Sequence, residues 1–503
     1  MITPQTTSPP APSPLEQYFA PYRQKIVGIQ AHFQSPYGTQ PIIYADWIAS
    51  GRLYQPIENI LANEIGVYVA NTHTETTATG TTMTLAYHQA HKTIKHHVNA
   101  APTDVIITTG SGMTGVVNKF QRILGLKVPE RLANKIEIPD NERPVVFVTH
   151  MEHHSNHTSW LETIADVVCV PPNSEGLVDL QAFQQAIEQY THRPLKIAAV
   201  TSCSNVTGIF TPYYDIAELI HQYGGYCFVD FACSAPYVPI DMHPTNRPQA
   251  SLDAIFFSPH KFLGGPGTTG VLIFNSTLYK NRVPDQPGGG TVNWTNPWGQ
   301  HSFVDDIEAR EDGGTPAFLQ TIKAALAIAL KEQMNTQQML LREEELLQQA
   351  FDHLLQIPNL HILAPHIQHR LGVISFYING LHYNLGVKIL NDRFGIQVRG
   401  GCSCAGTYGH YLLNVTPNHS HRITAKIDNG DLTEKPGWIR LSLHPTMTNA
   451  ELHYILQAIT SLAANYPQWQ HDYTHDLKCN EFRHKNHQGT EQALVNRWFT
   501  GAL

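Results

Sequence analysis

Charge is sparse in this chain of 503 residues and has no strong bias: 33 Lys and Arg stand against 41 Asp and Glu, a formal net charge of -8. That balance argues against a basic, nucleic-acid-binding surface. Cysteine is also scarce. Seven cysteines in a chain this long do not make a disulfide framework. A reducing compartment is therefore expected, the cytoplasm, where a reactive thiol survives. No run of eighteen apolar residues appears, so no membrane span is expected. The N-terminus lacks the basic-then-apolar pattern of a secretory signal, and no internal repeat is present. What the chain does have is 42% hydrophobic residues, enough for substantial cores. Its length suits two domains better than one.

The stretch that says most about function is Ser258-Pro259-His260-Lys261-Phe262-Leu263-Gly264-Gly265-Pro266-Gly267. An apolar, strand-like run over 254–257 delivers Ser, His and Lys to a glycine-rich turn, and a second apolar run follows over 270–274. A lysine held there is poorly solvated, which lowers its pKa and frees the amine to form a Schiff base. Ser258 and His260 flank it as donors suited to an anion. The arrangement fits pyridoxal 5'-phosphate: the lysine binds the aldehyde and its neighbours hold the phosphate. A surface lysine beside a glycine turn is the plainer alternative, and Asp230 weighs against it. Asp230 ends the apolar run Tyr226-Cys227-Phe228-Val229-Asp230, and ligands of open α/β sheets gather at such strand ends. A carboxylate against the pyridine nitrogen makes that ring an electron sink; an Asp capping the next loop is the alternative.

Other segments carry weaker signals. Residues 105–109 are apolar and β-rich, glycines follow, and a helix-like run covers 114–124. Backbone N–H groups at that helix start suit a phosphate, although a Gly-x-Gly alone is often just a turn. Arg440 lies between apolar residues on a strand-like run. Its fork suits a carboxylate, either a substrate's or one inside the protein. His153 is one of 29 histidines and reads equally well as a loop residue.

In combination these motifs resemble the aminotransferase class V group of pyridoxal phosphate enzymes, fold type I, and within it the cysteine desulfurase and selenocysteine lyase branch. The resemblance covers residues 44–463, most of the chain. Thr109-Gly110-Ser111-Gly112-Met113-Thr114 resembles the phosphate loop, implying cofactor contacts from Gly112, Met113 and Thr114. Met151-Glu152-His153-His154-Ser155-Asn156 resembles the segment whose first His stacks on the cofactor ring, here His153. Ser204-Asn205-Val206-Thr207-Gly208 resembles a turn that places Asn205 near the cofactor hydroxyl and the substrate. Asp230 and Lys261 match the ring-nitrogen acid and the Schiff-base lysine, with Ser258 and His260 as further cofactor contacts. Arg399-Gly400-Gly401-Cys402-Ser403-Cys404-Ala405 resembles the segment of the sulfur-accepting cysteine, and counting from the arginine Cys404 is the match. Arg399 is implied beside substrate and thiolate. Arg440, in Gly437-Trp438-Ile439-Arg440-Leu441-Ser442, matches the arginine that binds the substrate carboxylate. Gly288-Gly289-Gly290-Thr291 resembles the glycine loop that reaches the neighbouring subunit's phosphate, implying a homodimer with Thr291 as donor.

The chain departs from the family at named places. Cys233 stands where the family usually has Gln bonding the cofactor hydroxyl. A thiol is a weak donor, so that bond is lost or passes to Ser234 or Asn205. Cys402 stands where the desulfurases usually have His. An insert over 126–143, a longer stretch over 406–435 and a tail from 468 add length.

The implied fold is α/β: a large domain with a mostly parallel sheet and helices on both faces, plus a smaller α+β domain. Strand-like runs at 145–148, 167–170, 197–201, 226–230, 254–257 and 271–274 alternate with helical segments and read the same way. The expected divisions are a Pro/Thr/Ser-rich disordered N-terminus over 1–14, an N-terminal segment over 15–45 that packs on the small domain, a large domain over 46–315, a small domain over 316–467 and a C-terminal extension over 468–503. Helix-like patterns cover 15–31 and, bridging the two domains, 317–355. His88, His91, His96 and His97 crowd one helix-like segment, and an exposed polar face is expected there rather than a metal site. Glu152-His153-His154 with His157 lacks the spacing of a zincin helix. Cys402 and Cys404 fall short of a four-ligand zinc site. In an extended segment the two thiols would point the same way, able to share oxidised sulfur. No metal is expected.

The expected function is a cysteine desulfurase-like reaction on a sulfur-containing amino acid, giving alanine and an enzyme persulfide. Lys261, His153 and Cys404 would carry it, with a sulfur-acceptor protein as a partner. The alternatives are a class V lyase, epimerase or aminotransferase in which Cys404 only lines a pocket, and a cofactor-binding protein with a regulatory or sulfur-delivery role. Intact Lys261, Asp230 and Arg440 argue against the last.

Overall fold

The computed structural model describes residues 11–72, 74–487 and 489–500. The chain forms two compact units: Ile48–Asn205 with Ile209–Leu340, and Met1–Trp47 with Val206–Gly208 and Leu341–Leu503.

The larger unit is built on a seven-stranded sheet in the order Asp104–Thr109, Gly270–Asn275, Ala254–Phe257, Tyr226–Asp230, Lys196–Thr201, Val145–Thr149, Asp166–Val170. Gly270–Asn275 runs antiparallel to both neighbours, and the other pairs are parallel. All six strand-like runs read from alternation are present. Their near-continuous apolar runs are what a sheet buried on both faces requires; Val145, Val146, Phe147 and Val148 are fully buried. Helix Met113–Ile123 lies on one face through Val116, Val117 and Phe120. Phe120 sits 5.0 Å, ring centre to ring centre, from both Phe228 and Phe274. That packing fixes where the start of the helix falls against the strand ends.

Helix Ala78–His97 packs on helix Phe318–Met334, and this corrects the expected exposed histidine face. Only His88 and His96 are exposed. His91 is buried with its Nε2 3.1 Å from Thr108 Oγ1, and burial pushes its pKa down to about 3. His97 lies between Glu332 Oε1 at 2.9 Å and Lys331 Nζ at 3.1 Å, and burial pushes its pKa down to about 2. Among the described residues no group of three His, Cys, Asp or Glu is placed to hold a metal ion. The long helical pattern over 317–355 breaks at Asn335, whose φ of 60° is left-handed; asparagine tolerates that conformation. Two helices result, Phe318–Met334 and Thr336–Leu354. The first packs with the larger unit, so the division falls at 340/341, whereas the helical pattern had set it at 315/316.

The smaller unit holds an antiparallel sheet in the order Leu360–Ile362, Val373–Ile378, Trp438–Ser442, Arg399–Gly401. Helices Tyr383–Phe394 and Asn449–Trp469 pack together beside it. The N-terminal helix is Pro14–Arg23, shorter than the 15–31 pattern, and Ser13 caps it by accepting from Glu16 N–H at 3.1 Å. Arg23 pairs with Glu451 at 2.7 Å. Of the stretch expected to be disordered, 1–10 lies outside the described residues. The segment 406–435 forms helices Gly406–Leu412 and Pro417–Asp428, and the 126–143 insert holds a single helical turn, Glu130–Ala133. The C-terminal extension forms the hairpin Tyr473–Asp476 with Glu481–His484, then helix Thr490–Thr500. Among the described residues no helix is long and apolar enough to cross a membrane.

The loop after Ala254–Phe257 is held by close backbone contact. Gly51 N–H donates to His260 O at 2.9 Å, and a Cβ on Gly51 would sit 1.9 Å from Phe262 O. The Gly51→Ala variant is expected to lose at least ~2 kcal/mol of stability, read as an earlier urea midpoint. An unchanged midpoint would mean that this loop yields freely.

Candidate active site

In the larger unit, strand order brings an acid and a lysine to one sheet edge. Tyr226–Asp230 and Ala254–Phe257 are parallel neighbours, and both chains leave the sheet at the same end. Asp230 is buried, and its Oδ1 accepts from Ala232 N–H at 2.8 Å. Burial pushes its pKa up to about 6, against the pull of that bond and of the Lys261 charge. Lys261 ends the short helical turn Pro259–Lys261 and is half-buried.

Beside them is a cup for an anion. Met113 N–H, at the start of helix Met113–Ile123, donates to Ser258 Oγ at 2.8 Å. That bond leaves the serine proton to point elsewhere. Gly112 has no side chain where a Cβ would lie 3.1 Å from Ser258 Oγ and 3.8 Å from the His260 ring. Burial, with the Lys261 charge, pushes the His260 pKa down to about 4, so the ring is neutral at pH 7. Thr114 Oγ1 lies 2.6 Å from Ser155 Oγ. His153 caps helix His154–Leu161, its Nδ1 accepting from Ser155 N–H at 3.1 Å, which leaves any ring proton on Nε2.

Glu152 was quoted within its segment in the sequence but given no role there. It is buried, and Oε1 accepts from Thr149 Oγ1 at 2.6 Å and Thr201 N–H at 3.0 Å, while Oε2 accepts from Asn156 Nδ2 at 2.8 Å. It thus ties strands Val145–Thr149 and Lys196–Thr201 to the helix that begins at His154. Burial pushes its pKa up to about 8, with Asp230 adding to the rise. The available signal was a Glu four residues before Asn156, just past an apolar strand.

Asn205 is buried near the end of this unit's chain segment. Cys233 is buried with its Sγ 3.9 Å from Cys203 Sγ. Ser234, one of two residues considered for the bond of the missing Gln, is engaged with Ser202 at 2.6 Å between hydroxyls. Thr291 is buried, and its Oγ1 donates to Gly288 O at 2.7 Å within its own turn. The exposed part of that loop is the backbone of Gly288, Gly289 and Gly290.

The smaller unit brings two arginines together. Arg399 and Arg440 are direct cross-strand partners. Asp46 bridges them: Oδ2 accepts from Arg399 Nε at 3.0 Å and Oδ1 from Arg440 Nη2 at 2.8 Å. The internal ion pair allowed for Arg440 is therefore present, and Asp46 was missed. One carboxylate against two guanidinium groups leaves a net positive charge. The Arg440 side chain is 4% exposed and that of Arg399 55%, so Arg399 keeps its outer donors in solvent.

The thiol segment corrects an expectation. Cys402 and Cys404 do not share a face of an extended strand. Strand Arg399–Gly401 ends first, and Ser403 and Cys404 both have left-handed backbone, with φ of 53° and 56°. Ala405 N–H donates to Cys402 O at 3.1 Å, closing a turn. Cys404 is exposed and Cys402 half-buried.

Comparison with known proteins is consistent across most of the chain. The family model for aminotransferase class-V matches residues 43–455. A probable cysteine desulfurase of Halalkalibacterium halodurans is 29% identical over 369 residues, 73% of this chain and 84% of that protein. A probable cysteine desulfurase of Staphylococcus epidermidis is 29% identical over 368 residues, 72% of this chain and 83% of that protein. Among solved structures, the cysteine desulfurase from Thermococcus onnurineus has a TM-score of 0.70 at 20% identity, over 88% of this chain and 98% of its own. The cysteine desulfurase CsdA from Escherichia coli has a TM-score of 0.68 at 21% identity, over 89% and 98%. Both share this fold.

Removing Asp46 would leave two cations facing each other across a strand pair, one of them buried. The Asp46→Ala variant is expected to cost ~3 kcal/mol, measured by urea unfolding. A loss too small to measure would mean that the bridge contributes nothing.

Proposed function

The chain belongs to the aminotransferase class V family, and from that premise we propose that it is a pyridoxal 5'-phosphate enzyme that takes sulfur from cysteine. The observation that carries the reading is the placement of Asp230 and Lys261 on adjacent strand ends beside the cup of Gly112, Met113, Ser258 and His260. The cup fits a phosphate: a glycine at 112 that keeps a Cβ away from Ser258 Oγ and His260, a hydroxyl whose proton is not used by Met113, and the start of an eleven-residue helix. A buried carboxylate with one backbone donor fits a protonated ring nitrogen. When bound, the cofactor supplies an aldehyde that condenses with amines and a ring that accepts electrons from bonds at the substrate carbon.

The chain's own residues do the rest. Lys261 Nζ would hold the aldehyde and carry protons. Asp230 would face the ring nitrogen and keep it protonated, and His153 would lie against the ring. Asn205 would bond the cofactor hydroxyl in place of the absent Gln. Arg440 pairs with the substrate carboxylate. Cys404, as a thiolate, attacks the substrate sulfur. A sulfur–sulfur bond forms and the carbon–sulfur bond breaks. The electron pair goes to carbon, which takes a proton and becomes the methyl group of alanine. The persulfide then passes to an acceptor protein. Seven cysteines, all free, suit a reducing cytoplasm.

With cysteine and a reducing thiol, the enzyme is expected to give alanine and sulfide in equal amounts. Cys404→Ala is expected to bind cofactor yet lose turnover by at least ~10²-fold, and Lys261→Ala to lose the yellow absorbance as well. Persulfide found by mass spectrometry on Cys402 alone would move the nucleophile. Wild-type enzyme that makes no alanine would replace this reading with a class V lyase, epimerase or aminotransferase.

The enzyme is proposed to be a homodimer in which exposed Gly288, Gly289 and Gly290 approach the neighbouring phosphate, since glycine backbone reaches anions closely. Light scattering at assay concentration is expected to give twice the chain mass. A fully active monomer would rule out shared sites.

A further inference from the structure

The family match ends at residue 455, so the hairpin Tyr473–Asp476 with Glu481–His484 lies outside it. Its turn carries Asn480, buried at 3% exposure with a left-handed φ of 56°. Three polar groups of Asn480 have a use. Nδ2 donates to Tyr383 Oη at 3.2 Å, the backbone carbonyl accepts from Asn384 Nδ2 at 2.7 Å, and Oδ1 lies 2.9 Å from His475 Nε2. Asparagine is the side chain that suits a left-handed turn and still offers an amide. His475 is held in turn by stacking on Phe482, with ring centres 4.1 Å apart.

Tyr383 passes this hold to the thiol segment. A Cβ on Gly437 would lie 2.6 Å from the Tyr383 ring and 2.9 Å from Gly401 Cα. A Cβ on Gly400 would lie 3.1 Å from the same ring. The glycines let the ring press on the backbone of Arg399–Gly401 and of its neighbour strand. Arg399–Gly401 needs such a restraint. It is an edge strand with three residue pairs to one neighbour, and it leads into two successive left-handed residues that are not glycine. Backbone of that kind costs energy and persists only where its surroundings over-determine it. Trp438 Nε1 donates to Ser403 Oγ at 3.2 Å and supplies one restraint; Tyr383 supplies the other. Tyr383 also lies close enough to Cys402 for a thiolate there to raise the phenol's pKa, after the larger effect of burial.

We propose that Asn480 and Tyr383 are positioning residues for the thiol turn, so that the C-terminal hairpin sets which of Cys402 and Cys404 is presented to react. The role rests on the sulfur-transfer reading, but the geometry can be tested without turnover. The test is the rate of iodoacetamide labelling at Cys402 and Cys404, resolved by fragment mass spectrometry on the purified holoenzyme. The variants are Tyr383→Phe, which keeps the ring, Asn480→Gly, which keeps the left-handed backbone, and the double variant. Each single change is expected to raise the ratio of Cys402 to Cys404 labelling about fivefold, the worth of one hydrogen bond. The double is expected to do no more than either single change, because both remove the same contact. In the cysteine assay kcat should fall while KM stays within about twofold. An unchanged ratio in Tyr383→Phe overturns the proposal even if Asn480→Gly fails to fold, as do fully additive effects in the double variant. Wild-type enzyme that makes no alanine while the ratio shifts would sink the sulfur-transfer reading and leave the positioning intact.

Discussion

Parallel pairing of Tyr226–Asp230 with Ala254–Phe257 is the constraint from which the larger unit's chemistry follows. Parallel neighbours end at the same sheet edge, so whatever each strand carries past its end is brought together. One carries a carboxylate and the other a lysine within a few residues. The rest of that edge is arranged around them: helix Met113–Ile123 starts there because Phe120 is locked between Phe228 and Phe274, and Glu152 stitches the next two strands to the His153 cap. Burying a carboxylate is costly, and the raised pKa values of Asp230 and Glu152 record it. The donors to Glu152 offset only part of that cost. Asp230 has one backbone donor, Ala232 N–H, and the field of Lys261, which leaves it poised for a cationic ligand group.

The smaller unit uses charge in the opposite way. Asp46 fixes two arginines side by side but neutralises only one. A site with a surplus cation on a rigid strand pair is suited to a carboxylate, and the planar guanidinium fork gives that recognition its geometry. The internal ion pair and the substrate role read as alternatives for Arg440 do not exclude each other: the ion pair with Asp46 orients the guanidinium fork.

Much of this was legible in sequence, and the rest was hidden for identifiable reasons. Strands buried on both faces write themselves as apolar runs, and the Ser-Pro-His-Lys turn is local, so both could be read. Asp46 could not be assigned its arginines, because they lie 353 and 394 residues further on. The four helix histidines look alike in sequence; only packing against helix Phe318–Met334 buries His91 and His97 and leaves His88 and His96 in solvent. The left-handed turn at Ser403 and Cys404 was missed because neither residue is a glycine, the usual sign of such backbone. The closed turn of Thr291 hides its hydroxyl for the same reason: a side-chain bond to its own loop leaves no pattern.

The distribution of thiols carries the argument one step further. Cys203, Cys227 and Cys233 are buried. Burial pushes the Cys227 thiol well up and Cys169 up to about 11, and a thiol that does not ionise is a poor nucleophile. Cys479 is exposed, yet burial of its surroundings and the Asp476 carboxylate push its pKa up as well. The two that remain, Cys402 and Cys404, directly follow the strand Arg399–Gly401. A nucleophile needs access. Cys404 is exposed where Cys402 is half-buried, so the assignment within the pair turns on the strained turn that separates them, and hence on whatever holds that turn in place.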